Sequence, residues 1–290
     1  MAKNKPSISI VMPCLNGAEN LEALLPKLKQ AQPTAEIMVV NDGSTDRSLE
    51  ICEQHGIRVV SHPEPLGNGA AIKTGARNAT GDIIVFMDSD GQHGPEDIQR
   101  LLDKLDEGYD MVVGAREASS HASKKRLFGN TVFNKLASFM TGQKIEDLTS
   151  GFRAVRTVHF KKFLYLLPNG FSYPTTSTMA FFRSALPVAY IPIKAGKREG
   201  KSKIKLLKDG IRFFVIILKI GALFSPMRLF LPTSGVFFLL GVINHVHSYA
   251  TSGSFSNGSL LLYVASVFIF LMGILSEQIS SLHYRNTDKE

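Results

Sequence analysis

Short apolar runs alternate with amphipathic segments along residues 7–115. Five runs rich in Ile and Val predict β-strands: SISIVMP, EIMVVN, IRVVS, DIIVFMD and DMVVGA. Four segments between them carry apolar residues at helical spacing and predict α-helices: ENLEALLPKLKQA, DRSLEICEQHG, GAAIKTGARNAT and PEDIQRLLDKLDEG. Such alternation is typical of an α/β domain in which helices cover both faces of a mostly parallel, Rossmann-like sheet.

The last quarter of the chain has a different pattern. No Asp, Glu, Lys or Arg occurs from Leu229 to Ser276, and a small polar turn, YATSGSFSNGS, divides this stretch. The flanks, roughly 228–248 and 260–281, are each about 20 residues long, which is the length that crosses the hydrocarbon core of a bilayer. We therefore expect a transmembrane helical hairpin, with a buried helical pair of a soluble protein as the alternative.

Basic residues flank the hairpin, and the turn inside it carries no charge. They are Lys205, Lys208, Arg212, Lys219 and Arg228 before the first span, and Arg285 and Lys289 after the second. The positive-inside rule places both ends, and the N-terminal domain, on the cytoplasmic side of the membrane. The polar N-terminus lacks the apolar core of a secretory signal, which agrees with this orientation.

These patterns predict four regions. Residues 1–203 form the α/β domain, 204–226 an amphipathic segment at the membrane interface, 227–282 the transmembrane hairpin and 283–290 a cytoplasmic tail. The net charge of +8 suits nucleic acid, an acidic substrate or an anionic membrane. Because much of this charge precedes the hairpin and no nucleic-acid motif accompanies it, we expect membrane lipids and no nucleic acid as partners.

Three predicted strands run directly into polar residues. The first ends in Pro13-Cys14-Leu15-Asn16, the second in Asn41-Asp42-Gly43-Ser44 and the fourth in Asp88-Ser89-Asp90-Gly91-Gln92. Sheets of this class bind ligands at the carboxyl ends of their strands. In the last of these turns, two carboxylates and an amide offer oxygen ligands to Mg²⁺ or Mn²⁺, which complete their shell with water and substrate phosphates.

A glycine-rich run, GNGAAI at residues 67–72, invites a dinucleotide-binding interpretation. Ile72 stands where the third glycine of that fingerprint belongs, and the run does not follow the first strand, so the fingerprint fails. We expect instead a glycine-rich helix start that packs near a nucleotide.

Together these segments resemble glycosyltransferase family 2, which has the GT-A fold, and within it the dolichol-phosphate mannose synthase-like polyprenyl-phosphate glycosyltransferases. The matching segments are SIVMPCLNGAENL, VVNDGSTD, GNGAAIKTG, FMDSDGQH, VVGAR, DLTSGFRAVR and REGKSKI, in the family's order from about residue 8 to 203. The hairpin supports this resemblance independently, because an enzyme whose acceptor has a polyprenyl tail must bind that acceptor at the bilayer.

The resemblance implies roles for the matching residues. Asp42 would hold the nucleotide base, and Pro13 and Asn16 would line the same pocket. Asp88 would face the ribose and the metal, while Asp90 and Gln92 would ligate the metal that bridges the diphosphate. Gly17 and Asn41 depart from the family's usual residues at this pocket, which leaves the identity of the base open.

The remaining matching residues concern the acceptor. Asp147 would lie beside the transferred sugar and the acceptor phosphate as a catalytic residue, orienting first and acting as a base second. A set of basic residues would gather around the donor and acceptor phosphates: Arg116, Arg126, Arg198 and Lys203. Arginine forks suit phosphate oxygens, although each of these side chains could equally be a solvated surface charge.

The implied activity is metal-dependent, inverting transfer of a hexose-type sugar from a GDP- or UDP-linked donor to polyprenyl or dolichyl phosphate. Two alternatives stay open. A processive polysaccharide synthase usually carries a Gln-x-x-Arg-Trp motif, and this chain contains no tryptophan. A non-catalytic nucleotide-sugar-binding scaffold would not need Asp88, Asp90 and Asp147 intact. The sequence does not choose the sugar, and it leaves homo-oligomer formation open.

Overall fold

The computed structural model describes residues 5–116, 124–170, 172–194 and 225–287, together with 215, 218–219 and 221–222. For residues 124–130 and 283–287 it describes the backbone alone. The described chain divides into two compact units, Met1–Lys135 with Lys144–Phe213, and Leu136–Gln143 with Phe214–Glu290.

Strands and helices alternate through the first unit. The elements up to residue 141 are β1 (Ile8–Cys14), α1 (Ala18–Ala31), β2 (Glu36–Asn41), α2 (Ser48–Gln54), β3 (Arg58–Ser61), α3 (Asn68–Asn78), β4 (Ile83–Phe86), α4 (Glu96–Asp106), β5 (Met111–Arg116) and α5 (Lys124–Thr141). Then follow β6 (Arg153–Arg156), α6 (Thr157–Lys162), a 3₁₀ turn (Leu164–Leu166), α7 (Tyr173–Arg183) and β7 (Val188–Ile193). Each of the five predicted strands and four predicted helices is confirmed.

The strands form one seven-stranded sheet in the order β3-β2-β1-β4-β6-β5-β7. β1 runs parallel to β2 and β4, and β5 runs parallel to β7, so the mostly parallel sheet is confirmed. Helices bury one apolar stripe against it, as α4 does with Ile98, Leu101, Leu102 and Leu105. Each such buried side chain contributes about 1.5–3 kcal/mol to folding.

β6 breaks the parallel pattern, because it runs antiparallel to both of its neighbours, β4 and β5. Its first residue, Arg153, pairs with Phe86 of β4 and with Val113 of β5. The beginning of β6, not its end, therefore lies at the edge of the sheet where β4 and β5 end. The residues that precede Arg153 are brought to the same edge as the polar turn after β4.

The second unit contains two long helices, α8 (Pro226–Ser252) and α9 (Asn257–Thr287). Residues 226–252 and 257–282 are long and apolar enough to cross a membrane, and most of their residues are exposed. Between the helices, Ser234 Oγ donates to the Ser266 carbonyl at 3.1 Å and Ser266 Oγ donates to the Ser234 carbonyl at 3.0 Å. Such reciprocal bonds between small residues are typical of helices that pack in lipid.

The second unit also includes the end of α5. Arg228 Nη1 donates to the carbonyl of Phe139 at 2.8 Å, which fastens the start of α8 to this segment. The sequence patterns did not predict this contact. Most of the predicted interfacial segment, residues 204–226, lies outside the described residues.

Candidate active site

The order of the strands places a crevice between β1 and β4. β1 is followed by a connection to β2 on one side, while β4 lies on its other side, so the connections diverge at this point of the sheet. Open α/β sheets bind ligands in the crevice that such a divergence creates. The turns after the two strands are joined, because Ser89 Oγ donates to the carbonyl of Pro13 at 2.9 Å.

The turns after β1 and β2 are connected through Asn16. Its φ of 56° lies in the left-handed region, which Asn tolerates better than most residues. Its backbone N–H donates to Ser44 Oγ at 3.0 Å, and its Oδ1 accepts from the Thr45 N–H at 2.8 Å. Asn16 therefore holds the two turns in a fixed relation on one side of the crevice.

Asp42 lies at the end of β2 and is only 3% exposed. Its carboxylate accepts from His62 Nδ1 at 2.8 Å and from the backbone N–H groups of Leu66 and Gly67 at 2.8 and 2.9 Å. Burial alone would raise the pKa of Asp42, but these hydrogen bonds outweigh it and hold the pKa below its ordinary value. Asp42 thus fixes the turn that leads into α3, and a base contact from it stays a prediction.

His62 extends this network, and sequence reasoning missed it. Its Nε2 lies 2.8 Å from Thr74 Oγ1 on α3, so the ring bridges the end of β2 and the helix. The sequence does place this histidine directly after a predicted strand, at the same edge of the sheet as the other polar residues. A lone histidine carries too little information to be assigned on that basis.

The glycine-rich start of α3 is confirmed, and its neighbours explain the glycines. The N–H groups of Gly69 and Ala70 donate to the carbonyls of Gly170 and Asn169, each at 3.1 Å. A Cβ on Gly69 would lie 2.0 Å from the Pro168 carbonyl oxygen, closer than any real contact. Because Gly69 has no side chain, the loop before α7 packs against the start of α3. The carbonyls of that loop accept from the N–H groups of Gly69 and Ala70.

The acidic turn after β4 contains Asp88, Asp90 and Gln92, all partly buried. The Gln92 N–H donates to Asp90 Oδ1 at 3.2 Å, which closes the turn. No group of three His, Cys, Asp or Glu side chains that could hold a metal occurs among the described residues. Carboxylate and amide oxygens are ligands of the kind that Mg²⁺ and Mn²⁺ take, completing their shell with phosphate and water, and a metal at this turn stays a prediction.

Asp147 is 4% exposed and forms a two-pronged ion pair with Arg116 at the end of β5. Arg116 Nε donates to Oδ2 at 2.8 Å and Nη2 to Oδ1 at 3.0 Å. Oδ1 also accepts from the N–H groups of Thr149 and Ser150 at 3.0 and 3.1 Å. Burial opposes ionisation, but Arg116 and these amides hold the pKa of Asp147 below its ordinary value.

This pairing has two consequences for the predicted roles. An ionised carboxylate whose oxygens are already occupied accepts a proton poorly at neutral pH, which supports an orienting role for Asp147 over a basic one. Arg116 uses Nε and Nη2 on Asp147, so a phosphate contact from Arg116 stays a prediction. The structure brings Asp88, Asp90 and Asp147 within electrostatic reach of Arg116.

His93 links the acidic turn to the loop that carries Asp147. It is 6% exposed, and its ring stacks on Phe152 with a centroid distance of 4.9 Å and an interplanar angle of 10°. Burial lowers the pKa of His93 to about 4, so its ring is neutral at physiological pH. The sequence placed His93 beside the acidic turn but gave no basis for a role.

Three predicted phosphate ligands are not positioned. Arg198 and Lys203 lie outside the described residues, as does the side chain of Arg126. Their predicted contacts with donor and acceptor phosphates stay predictions.

Comparison with known families now identifies the domain. A model of glycosyl transferase family 2 matches residues 9–164, which is more than half of the chain. The chain belongs to glycosyl transferase family 2. A second model, of the GtrB C-terminal hairpin, matches residues 225–282 and so coincides with α8 and most of α9.

Curated relatives give the same assignment. Polyprenol monophosphomannose synthase from Mycolicibacterium smegmatis is 29% identical over 211 residues, covering 67% of this chain and 80% of the relative. Undecaprenyl-phosphate 4-deoxy-4-formamido-L-arabinose transferase from Edwardsiella ictaluri is 29% identical, with 95% and 89% covered. Dolichyl-phosphate hexose transferase from Haloferax volcanii is 28% identical, with 73% and 93% covered. The resemblance to the polyprenyl-phosphate glycosyltransferases is confirmed.

Solved structures support the fold. Glucosyl-3-phosphoglycerate synthase from Mycobacterium tuberculosis, in a complex with Mn²⁺, UDP and phosphoglyceric acid, superimposes with a TM-score of 0.62. Its sequence is 21% identical, and the match covers 75% of this chain and 79% of that chain. At this identity the similarity establishes the GT-A-like fold of the first unit.

Proposed function

We propose that this glycosyltransferase moves a hexose-type sugar from a nucleotide-sugar, GDP-mannose or a UDP-sugar, to polyprenyl or dolichyl phosphate, with inversion at the anomeric carbon. One observation carries the proposal: the acidic turn after β4 and the Asp147–Arg116 ion pair meet at one edge of the sheet. Names of relatives that act on polyprenol, undecaprenyl phosphate and dolichyl phosphate support the lipid acceptor.

The donor would lie across the crevice between β1 and β4. The turns fixed by Asn16 and Asp42 would receive the nucleoside, and the diphosphate would lie toward Asp88, Asp90 and Gln92. A divalent cation held by these oxygens would offset the charge that grows on the departing diphosphate. A structural neighbour of this fold, in a complex with Mn²⁺ and UDP, supports a divalent cation and a nucleotide as the ligands.

The chemical step needs no external proton carrier. An oxygen of the acceptor phosphate forms a bond to the anomeric carbon as the bond from that carbon to the diphosphate oxygen breaks. The nucleoside diphosphate leaves with the electron pair, and the attacking oxygen is already anionic at neutral pH. Asp147, held by Arg116, would orient the sugar and the acceptor, and the basic residues would reduce repulsion between the two phosphates.

The hairpin supports a lipid acceptor. The apolar side chains of α8 and α9 are widely exposed, with Leu261 and Ile279 at 69% and 68%, and a surface of this extent needs a partner other than water. The GtrB-type hairpin match supports membrane insertion. We propose a multi-pass protein of the inner or plasma membrane whose catalytic domain lies on the cytoplasmic side. Protease added to inverted vesicles, and not to intact cells, should then digest this domain.

A transfer assay tests the activity. Membranes that contain the protein are incubated with polyprenyl phosphate, Mg²⁺ or Mn²⁺ and labelled nucleotide-sugars, and one donor should pass its label to the lipid fraction. Asp90→Asn should lower this transfer by at least about 100-fold. Asp106→Asn, at an exposed position at the end of α4, is the matched control and should leave the rate unchanged.

Two outcomes would contradict the proposal. Label that reaches no lipid acceptor with any donor would refute the activity. Full transfer in excess chelator, or with Asp90→Asn, would refute the role of the cation while leaving the activity intact.

A further inference from the structure

Arg153 is a fully buried charge outside the predicted site. Its side chain is 0% exposed, and no ion pair of the described residues includes it. Burial lowers the pKa of its guanidinium, while the charges of Asp147 and Asp88 act in the opposite direction. Burying a guanidinium without a carboxylate partner is unfavourable, so the contacts that it makes need an explanation.

These contacts join α7 to the loop that carries Asp147. Nη1 donates to the Pro174 carbonyl at 3.1 Å and to Ser177 Oγ at 2.8 Å on α7. Nη2 donates to the carbonyl of Ser150, which lies in that loop. Arg153 thus fixes Ser150 against the first turn of α7.

Tyr173 makes a second connection beside the first. Its hydroxyl donates to the carbonyl of Gly151 at 3.1 Å, and its ring centroid lies 5.8 Å from the guanidinium carbon of Arg153. The two consecutive carbonyls are therefore both held, that of Ser150 by Arg153 of β6 and that of Gly151 by Tyr173 of α7. Hydrogen bonds to a buried charge are among the stronger ones in proteins.

The Ser150–Gly151 turn in turn touches both carboxylates of the site. The Ser150 N–H donates to Asp147 Oδ1 at 3.1 Å. On the other side, continuing the β4–β6 register past Phe86 and Arg153 places Gly151 opposite Asp88. A Cβ on Gly151 would lie 2.9 Å from Asp88 Oδ2 and 3.1 Å from the Tyr173 hydroxyl, so Asp88 packs directly on the glycine.

We propose that Arg153 and Tyr173 are positioning residues that hold the Ser150–Gly151 turn and thereby set the separation of Asp88 and Asp147. Asp88 belongs to the cation site and Asp147 to the acceptor side. The hydrogen bonds of Arg153 and Tyr173 to the Ser150–Gly151 turn therefore couple the binding of the cation to the positioning of the acceptor. The inference rests on the proposed function for its effect on turnover. Its effect on cation binding can be measured without turnover.

The test compares three variants of the full chain in detergent. Tyr173→Phe removes only the hydroxyl that holds Gly151. Gly151→Ala inserts a methyl group between Asp88 and Tyr173. Tyr190→Phe is the control, because the Tyr190 hydroxyl is buried and has no partner among the described residues. Mn²⁺ binding is followed by electron paramagnetic resonance with UDP or GDP present, and steady-state transfer is measured in parallel.

We expect Gly151→Ala to weaken Mn²⁺ binding about tenfold, since Asp88 must move to admit the methyl group. Tyr173→Phe should lower kcat about tenfold, the equivalent of one lost hydrogen bond, with the donor KM changed less than about twofold. Tyr190→Phe should match the wild type in both. Arg153→Lys, which keeps the charge and one set of donors, should retain more activity than Arg153→Met at a temperature where both are folded.

The results separate this inference from the proposed function. If the wild type transfers no sugar but Tyr173→Phe and Gly151→Ala both weaken Mn²⁺ binding relative to Tyr190→Phe, the activity is wrong and the positioning role stands. If the wild type is active while Tyr173→Phe and Gly151→Ala equal it in kcat and in Mn²⁺ binding, the positioning role is overturned. Equal losses in Tyr190→Phe would also overturn it, because a general disturbance of the core would then explain them.

Discussion

The turns on the donor side of the crevice (residues 13–18, 41–46 and 65–67) are joined by short polar side chains that bond backbone amides of neighbouring turns. Asn16 and Asp42 accept these hydrogen bonds beside the ends of parallel strands. The acceptor side (residues 147–152 with Arg116 and the start of α7) is built instead on an antiparallel strand, a carboxylate–guanidinium pair and a second, fully buried guanidinium. Asp147 and Arg153 are its centres.

This difference indicates different consequences of mutation. On the donor side Asn16 bonds backbone amides, and Asp42 bonds two backbone amides and the His62 ring, so the loss of either residue leaves mainly amides that water can satisfy. On the acceptor side the loss of one partner leaves a buried charge uncompensated, which costs several times more. We therefore expect the acceptor side to be the less tolerant of the two.

The largest effect is expected from Asp147→Asn. This change leaves the Arg116 guanidinium without its counter-charge, and we expect a loss of about 3 kcal/mol in the free energy of unfolding and at least about 100-fold in kcat. Both are measured on the full chain in detergent, by thermal unfolding and by transfer to polyprenyl phosphate. Glu146→Gln is the control, because its pair with Lys144 is exposed and such pairs contribute less than about 1 kcal/mol.

The same ion pair predicts a pH dependence. Because the pKa of Asp147 is depressed on folding, its stabilisation is fully present above the ordinary value of 3.8 and is lost as pH falls through the lower folded value. The stability difference between wild type and Asp147→Asn should therefore stay constant from neutral pH down to about pH 5 and shrink below about pH 4. A difference that shrinks already between pH 7 and 5 would contradict the buried ion pair.

A smaller effect is expected from Asp42→Ala on the donor side. The variant frees the amides of Leu66 and Gly67 and leaves His62 with Thr74 alone, so the turn before α3 should loosen. We expect the donor KM to rise about tenfold with kcat changed less, because the nucleotide binds equally in the ground and transition states. A fall in kcat at constant KM would show that the two sides are not separate.

The sequence predicted more of the donor side than of the acceptor side. The donor side followed from the alternation of strands and helices, since polar residues after parallel strands meet at one edge, and Asp42, Asp88 and Asp90 all lie there. Antiparallel β6 did not follow, because its four residues, RAVR, carry no clear period and nothing in them gives a direction. Without that direction, the contact of Gly151 with Asp88 could not be foreseen.

Buried polar residues are the second feature that the sequence patterns could not predict. The sequence YPTTSTMAFFR of α7 is rich in hydroxyl groups and would ordinarily indicate an exposed segment, yet residues 173–181 are buried. Two of those hydroxyls, of Ser177 and Thr178, accept from Arg153, and that of Tyr173 donates to the Gly151 carbonyl, so their partners are distant in sequence. The roles of Arg153 and Tyr173 therefore depend on tertiary structure.

Gly69→Ala tests the contact between the two sides, which the loop before α7 provides. Its methyl group would meet the Pro168 and Gly170 carbonyl oxygens at 2.0 and 2.6 Å, so the loop must move. We expect a loss of about 2 kcal/mol in the free energy of unfolding. Gly170→Ala is the control, because a Cβ there meets nothing within 4 Å. Equal stability of the two variants would mean that the loop before α7 moves without cost and does not connect the donor side to the acceptor side.

The smallest effect is expected at Asn16, where a pair of substitutions separates backbone from side chain. Asn16→Gly keeps the left-handed conformation without strain but loses the bond to the Thr45 amide, so we expect a loss of about 1 kcal/mol in the free energy of unfolding. Asn16→Ala loses the same bond and adds about 1 kcal/mol of backbone strain. Thermal unfolding of both variants measures the difference. If Gly and Ala were equally stable, the left-handed turn would relax without cost, and the donor side would be held by its side-chain bonds alone.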